Sequence, residues 1–122
     1  MALVASIPSV VPDHLAVYAA PERHGLRLVR GVLHIEDVSL AAIAAAAGTP
    51  TYVYSSEHIG ARHDELAAAC ASHPTLLCYA VKANSSQAVL RTLALRGAGA
   101  DIVSGGELAR ALAAGMPAAK IV

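Results

Sequence analysis

Hydrophobic and polar positions change rhythm along this chain, and each change marks an element. Up to about residue 24 no period is sustained, and Pro8, Pro12 and Pro21 predict irregular structure. Leu26-Arg27-Leu28-Val29-Arg30 and Val32-Leu33-His34-Ile35 then flank Gly31 and predict a pair of short strands. Ser39 opens an apolar run, Leu40 to Ala47, that stops at Gly48 with Pro50 just beyond. That is the order of cap, helix, glycine terminator and proline. Thr51-Tyr52-Val53-Tyr54 is β-branched and aromatic and predicts a short strand. Ser55-Ser56 caps a helix over about 57–71, which closes before His73-Pro74.

From residue 76 the pattern alternates. An apolar run at 76–82 predicts a strand buried on both faces, followed by a helix at about 86–96 and a strand at 100–104. A helix at about 106–114 comes next, and Lys120-Ile121-Val122 begins a further strand. The two helix exits resemble each other, Leu93-Ala94-Leu95-Arg96-Gly97 and Leu112-Ala113-Ala114-Gly115. Units of this length and order predict parallel βα repeats. The last strand has no helix after it, so the expected architecture is the front portion of a larger (β/α) barrel, cut short after about three core strands.

Composition narrows the function classes. Apolar residues make up 56% of the 122, which suits a well-buried globular unit and excludes a disordered chain. Aromatics are only 3%, all tyrosine, so core volume per residue is low. Nine basic residues balance nine acidic ones with no long basic run, which argues against nucleic acid and anionic membrane as partners. No apolar stretch reaches the length of a membrane span, and the N-terminus lacks the basic region of a secretory signal. Cys70 and Cys78 are isolated and read as reduced, packed thiols of a cytoplasmic protein. The histidines at 14, 24, 34, 58, 63 and 73 have no companions at metal-ligand spacing, so no metal site is expected.

The chemistry concentrates at Lys82, which ends the apolar run Leu76-Leu77-Cys78-Tyr79-Ala80-Val81. A lysine desolvated at a buried strand tip tends toward the neutral amine, the form that attacks an aldehyde. The bland alternative is a lysine that snorkels to solvent. Strand alternation puts residues 78, 80 and 82 on one face, so small Ala80 leaves room beneath the lysine for a flat ring. An alanine-rich chain explains Ala80 equally well.

Tyr79-Ala80-Val81-Lys82-Ala83-Asn84-Ser85 resembles the cofactor-lysine motif of the alanine-racemase-like (fold type III) pyridoxal-phosphate decarboxylases. Gly97-Ala98-Gly99-Ala100-Asp101-Ile102-Val103-Ser104-Gly105-Gly106-Glu107-Leu108 is similar to their next strand and helix start, in wording closest to the diaminopimelate decarboxylases. The ornithine and arginine decarboxylases share the first motif but depart from the Val-Ser-Gly-Gly-Glu-Leu phrase. The alanine racemases continue the first motif differently.

The resemblance implies pyridoxal 5'-phosphate as cofactor, Lys82 as its covalent anchor, and decarboxylation of an amino acid, with meso-diaminopimelate giving L-lysine and CO2 as the favoured substrate. It implies that Asp101 lies near the lysine amine and that the whole protein is a homodimer. It assigns residues 1–50 to a segment that joins a β-domain, and residues 51–122 to part of the cofactor-binding barrel. By the same resemblance the phosphate-binding glycines lie beyond Val122, and the chain by itself is inactive. An ornithine-, arginine- or carboxynorspermidine-type decarboxylase, or a non-catalytic piece that binds only the cofactor or a partner chain, are the alternatives. Ser104-Gly105-Gly106-Glu107 reads first as a capping box, with a phosphate cradle as the second reading.

Overall fold

The computed structural model describes residues 25–122. The N-terminal stretch that the sequence predicts to be irregular, with His14 and His24, lies outside the described residues. The chain divides into two compact units after Tyr52.

In the first unit, β1 (Leu26–Val29) and β2 (Val32–Ile35) pair antiparallel, with Val29 opposite Val32 across the two-residue turn Arg30-Gly31. Both turn residues have positive φ, at 50° and 81°, the twist that suits a tight hairpin. A second two-residue turn, Glu36-Asp37, returns the chain as β3 (Val38–Ser39), with Ile35 opposite Val38. Arg27 braces that turn by donating from Nε to the Glu36 carbonyl at 2.8 Å and pairing with Asp37. Ser39 then caps α1 (Leu40–Ala47), its Oγ accepting from the Ala42 amide at 3.1 Å. Gly48, at φ 80°, ends the helix by donating to the Ala44 carbonyl at 2.9 Å, where the sequence predicts the stop. Thr51–Tyr54 forms no strand: no described strand pairs with it, and Tyr52 is fully exposed.

The second unit alternates as predicted. Ser55 is buried and caps α2 (Ser56–Ala69), its Oγ accepting from the His58 amide at 2.9 Å. Then come β4 (Cys78–Ala80), α3 (Gln87–Ala94), β5 (Gly99–Asp101) and α4 (Gly105–Ala113). Strands β4 and β5 are parallel, with Cys78 opposite Gly99, Tyr79 opposite Ala100 and Ala80 opposite Asp101. Ile121 adds a parallel bridge to Ala100, and the Val122 amide donates to the Ala100 carbonyl at 2.9 Å. The core lies between this sheet and the helices: Val81, Val89, Leu90, Leu93, Ala98, Ala100, Ala111, Ala114 and Met116. Tyr79, Ile102 and Ile121 pack against it from the sheet.

The two similar helix exits fold alike. Gly97 and Gly115 take positive φ, at 84° and 94°, and each donates three residues back, to Ala94 and Leu112. The following amides, of Ala98 and Met116, reach five residues back to Leu93 and Ala111. This is the glycine stop in which the next apolar residue folds under the helix, and both Ala98 and Met116 are 2% exposed. Each strand is therefore launched from a fixed turn.

The strands are shorter than the sequence predicts. The run 76–82 forms a strand only at Cys78–Ala80, and 100–104 only at Gly99–Asp101. Hydrogen-bonded length is set by the partner, and each strand extends only as far as its neighbour pairs with it. Beyond Ala80 the chain tightens into a 3₁₀ turn, Val81–Ala83, with Val81 wholly buried. Lys120 likewise belongs to a 3₁₀ turn, Ala118–Lys120, and not to a strand.

Candidate functional site

Paired residues of adjacent parallel strands project to the same face. Tyr79 and Ala100 face the helices, where both contribute to the core. Ala80 and Asp101, paired one position later, therefore project to the opposite face, at the C-terminal edge of the two strands. Asp101 ends its strand, whereas the sequence places it at the start of one. It is half-buried, as is Ala80.

Lys82 follows two residues after Ala80, in the 3₁₀ turn at this edge. The turn breaks strand alternation, so Lys82 does not share a strand face with Cys78 and Ala80. It is exposed, and the desolvation expected of a buried strand tip is not supplied by the described residues. Its amine makes no hydrogen bond or ion pair with a described residue, and the Asp101 carboxylate likewise has no such partner. An amine and a carboxyl group thus stand at neighbouring strand ends with no hydrogen bond or ion pair between them. Among the described residues, neither is engaged.

What is firmly fixed is the backbone on either side of Lys82. Val81 is sunk in the core before it. After it, the Asn84 carbonyl accepts from the Tyr79 hydroxyl at 3.3 Å, and the Asn84 side-chain oxygen accepts from the Ser86 amide at 2.9 Å. That side-chain bond forms an Asx turn into α3, as the cap-like Asn84-Ser85-Ser86 suggests. Gln87 donates from Nε2 to the Arg110 carbonyl at 3.1 Å, and Arg110 donates back to the Ser85 carbonyl at 3.4 Å. Tyr79, Gln87 and Arg110 do not emerge from sequence reasoning as parts of the site. Their roles depend on where the turn at 81–83 delivers residues 84 and 85, and no periodicity carries that information. The Tyr79 phenol is held above its usual 10.0, chiefly because burial disfavours the phenolate.

Ser104 caps α4, its Oγ accepting from the Glu107 amide at 3.2 Å. Glu107 returns the bond to the Val103 amide at 2.8 Å, one residue further out than the reciprocal bond of a capping box. A methyl at Gly105 would meet nothing within 4 Å, so no described group presses on that glycine. The sequence GlyAlaGly at 97–99 serves the sheet: a Cβ on Gly99 would collide with the Lys120 carbonyl and lie 2.9 Å from Cys78 Sγ. An apolar groove of about 360 Å³, lined by Ile59, Leu66, Leu77, Leu93 and the ring of Tyr79, opens elsewhere and includes neither Lys82 nor Asp101. Both cysteines are free and half-buried. No cluster of His, Cys, Asp or Glu among the described residues has the makings of a metal site. No helix of the described residues is long and apolar enough to cross a membrane.

Residues 56–122 match the family model for the pyridoxal-dependent decarboxylase, pyridoxal binding domain. The chain is 59% identical over 92 residues to a diaminopimelate decarboxylase of Pseudomonas fluorescens, an alignment covering 75% of this chain and 22% of the relative. It is 45% identical over 98 residues to that of Zymomonas mobilis, covering 78% and 23%. Among solved structures, a protein of Aquifex aeolicus superposes with a TM-score of 0.76 at 44% identity, over 86% of this chain and 25% of that one. A diaminopimelate decarboxylase from M. jannaschii in co-complex with L-lysine gives 0.75 at 33% identity, over 81% and 24%. The chain thus spans between a fifth and a quarter of the length of these relatives.

Proposed function

The chain belongs to the pyridoxal-dependent decarboxylases, and from that premise we propose that it carries the lysine-bearing part of the cofactor site of a diaminopimelate decarboxylase. The observation that carries the reading is Lys82: an exposed amine, with no partner among the described residues, at the C-terminal edge of a parallel βαβ unit. In parallel β/α folds that edge is where catalytic groups gather. Pyridoxal 5'-phosphate, when bound, supplies an electron sink for the bond to the departing carboxylate.

The residues present fit that group. Lys82 Nζ is reachable by an aldehyde and is tied up by no described carboxylate, so it serves as the covalent anchor. Ala80 offers the smallest side chain on the face where a flat ring would rest. Asp101, beside Ala80 in register, favours a proton on a nearby nitrogen and orients what lies above the strand ends. With the cofactor held here, Lys82 Nζ would be the group at this edge able to hold and deliver a proton.

In the same reading, residues 51–122 are part of the cofactor-binding (β/α) barrel domain, and residues 1–50 join a β-domain. The whole protein is a cytoplasmic homodimer that converts meso-diaminopimelate to L-lysine and CO2. The identities of 45–59% to diaminopimelate decarboxylases support this substrate over ornithine or arginine.

The test is the absorbance of the chain with pyridoxal phosphate, before and after borohydride, beside Lys82→Ala. The expected outcome is a visible band that reduction converts to a stable label on Lys82, absent from the variant. Equal labelling of Lys82 and Lys120 would count against the reading. In the whole protein, release of CO2 from ornithine or arginine, and none from diaminopimelate, would reassign the substrate and keep the chemistry.

A further inference from the structure

We propose that Tyr79 is a positioning residue for Lys82, acting through the carbonyl of Asn84; this rests on the assignment of Lys82 as the cofactor anchor. A lysine side chain is long and has several free torsions, so its amine is placed by its backbone before anything else. Upstream of Lys82 the backbone is fixed by Val81, which is fully buried. Downstream, the 3₁₀ turn ends at Asn84 in extended backbone, φ −160° and ψ 107°. Extended chain at an exposed edge holds no position by itself. The Tyr79 hydroxyl bonds the Asn84 carbonyl across the turn, closing a ring of residues 79 to 84 with Lys82 inside it.

Tyr79 is suited to this work. Its backbone is locked in β4 opposite Ala100, and its ring packs against the core, so the hydroxyl is presented from a rigid base. Asn84 is held again from the other side, where its own side chain closes an Asx turn onto the Ser86 amide just before α3. The tether therefore links strand, turn and helix at the residue that flanks the reactive lysine, which is how supporting groups pre-organise a reacting one. A phenylalanine would fill the same space in the core and lose only the tether. A phenol keeps its donor proton at neutral pH, and burial raises its titration further.

The experiment compares the chain with its Tyr79→Phe and Tyr54→Phe variants, using pyridoxal phosphate and borohydride as the labelling probe and amide hydrogen exchange as a second readout. Tyr54 is a largely exposed phenol that makes no comparable bond with a described residue, so its variant controls for loss of a hydroxyl. The expected result for Tyr79→Phe is a two- to tenfold fall in the labelling rate of Lys82 relative to Lys120 in the same molecules, the size of about one net hydrogen bond. Faster exchange at residues 83–85, with unchanged far-ultraviolet circular dichroism, should accompany it. Unchanged exchange at 83–85 would show that the tether does not hold the turn and would overturn the proposal. Faster exchange with an unchanged labelling ratio would overturn it too, by showing that the turn does not place the amine. The parent chain separates the two levels: if it shows no preference for Lys82 over Lys120, the cofactor reading fails first and takes the positioning role with it, while exchange alone still scores the tether.

Discussion

A single tyrosine shows how far one residue's environment reaches. Tyr79 packs its ring against the core and sets its hydroxyl on the Asn84 carbonyl, and a phenolate cannot donate that bond. Burial is the largest cause of its raised titration, with the nearby Tyr54 phenol adding to it. A folded-state value above the unfolded one means that the stability contribution is complete below pH 10.0 and is lost as pH rises through the raised value. The difference in melting temperature between the parent and Tyr79→Phe should therefore be flat from neutral pH to about 9.5 and narrow above 10. Thermal melts at closely spaced pH values measure this directly. A difference that stays constant well into the alkaline range would mean that the hydroxyl is not what stabilises the parent. Lys82 illustrates the opposite limit: its place in the family motif is plain from the sequence, yet its exposure depends on the turn that follows β4, which the apolar run conceals.

At the level of elements, helix ends are better determined than strand lengths. Ser39, Ser55 and Ser104 all cap the helices that the sequence assigns to them, and Gly48, Gly97 and Gly115 all end helices with positive φ. Caps depend on one side chain meeting one or two amides within the same turn, so local sequence is sufficient. Gly115 offers a clean test, because a methyl added there meets nothing within 4 Å and the only cost is conformational. Gly115→Ala should lose about 1–2 kcal/mol, read from the denaturation midpoint at constant slope. A loss below a few tenths would show that the chain leaves α4 by another route. Strands lack such local signals: β4 and β5 each stop where pairing stops, and the apolar residues beyond them serve turns and core instead.

Across the molecule, the second unit depends on close approach between segments far apart in sequence. Gly99 sits where the Lys120 carbonyl and Cys78 Sγ leave no room for a side chain, and the neighbouring Ala100 carries the parallel bridge to Ile121. Gly99→Ala should push the C-terminal segment off the sheet, seen as accelerated exchange of the Ile102 and Val122 amides, which bond the Val122 and Ala100 carbonyls at 2.9 Å. Protection retained at both amides would mean that the sheet absorbs the methyl by shifting Cys78. The amino-acid sequence by itself determined the alternation of strands and helices, the serine caps and glycine stops, and the lysine whose motif marks the family, because each is written within a few residues. Only the tertiary structure decided how long the strands run, that Asp101 ends its strand beside Ala80, that Lys82 stands in an exposed turn, and that Tyr79 reaches Asn84. Those facts follow from which segments meet, and the meeting is governed by pairing register and core packing that no short stretch of sequence contains.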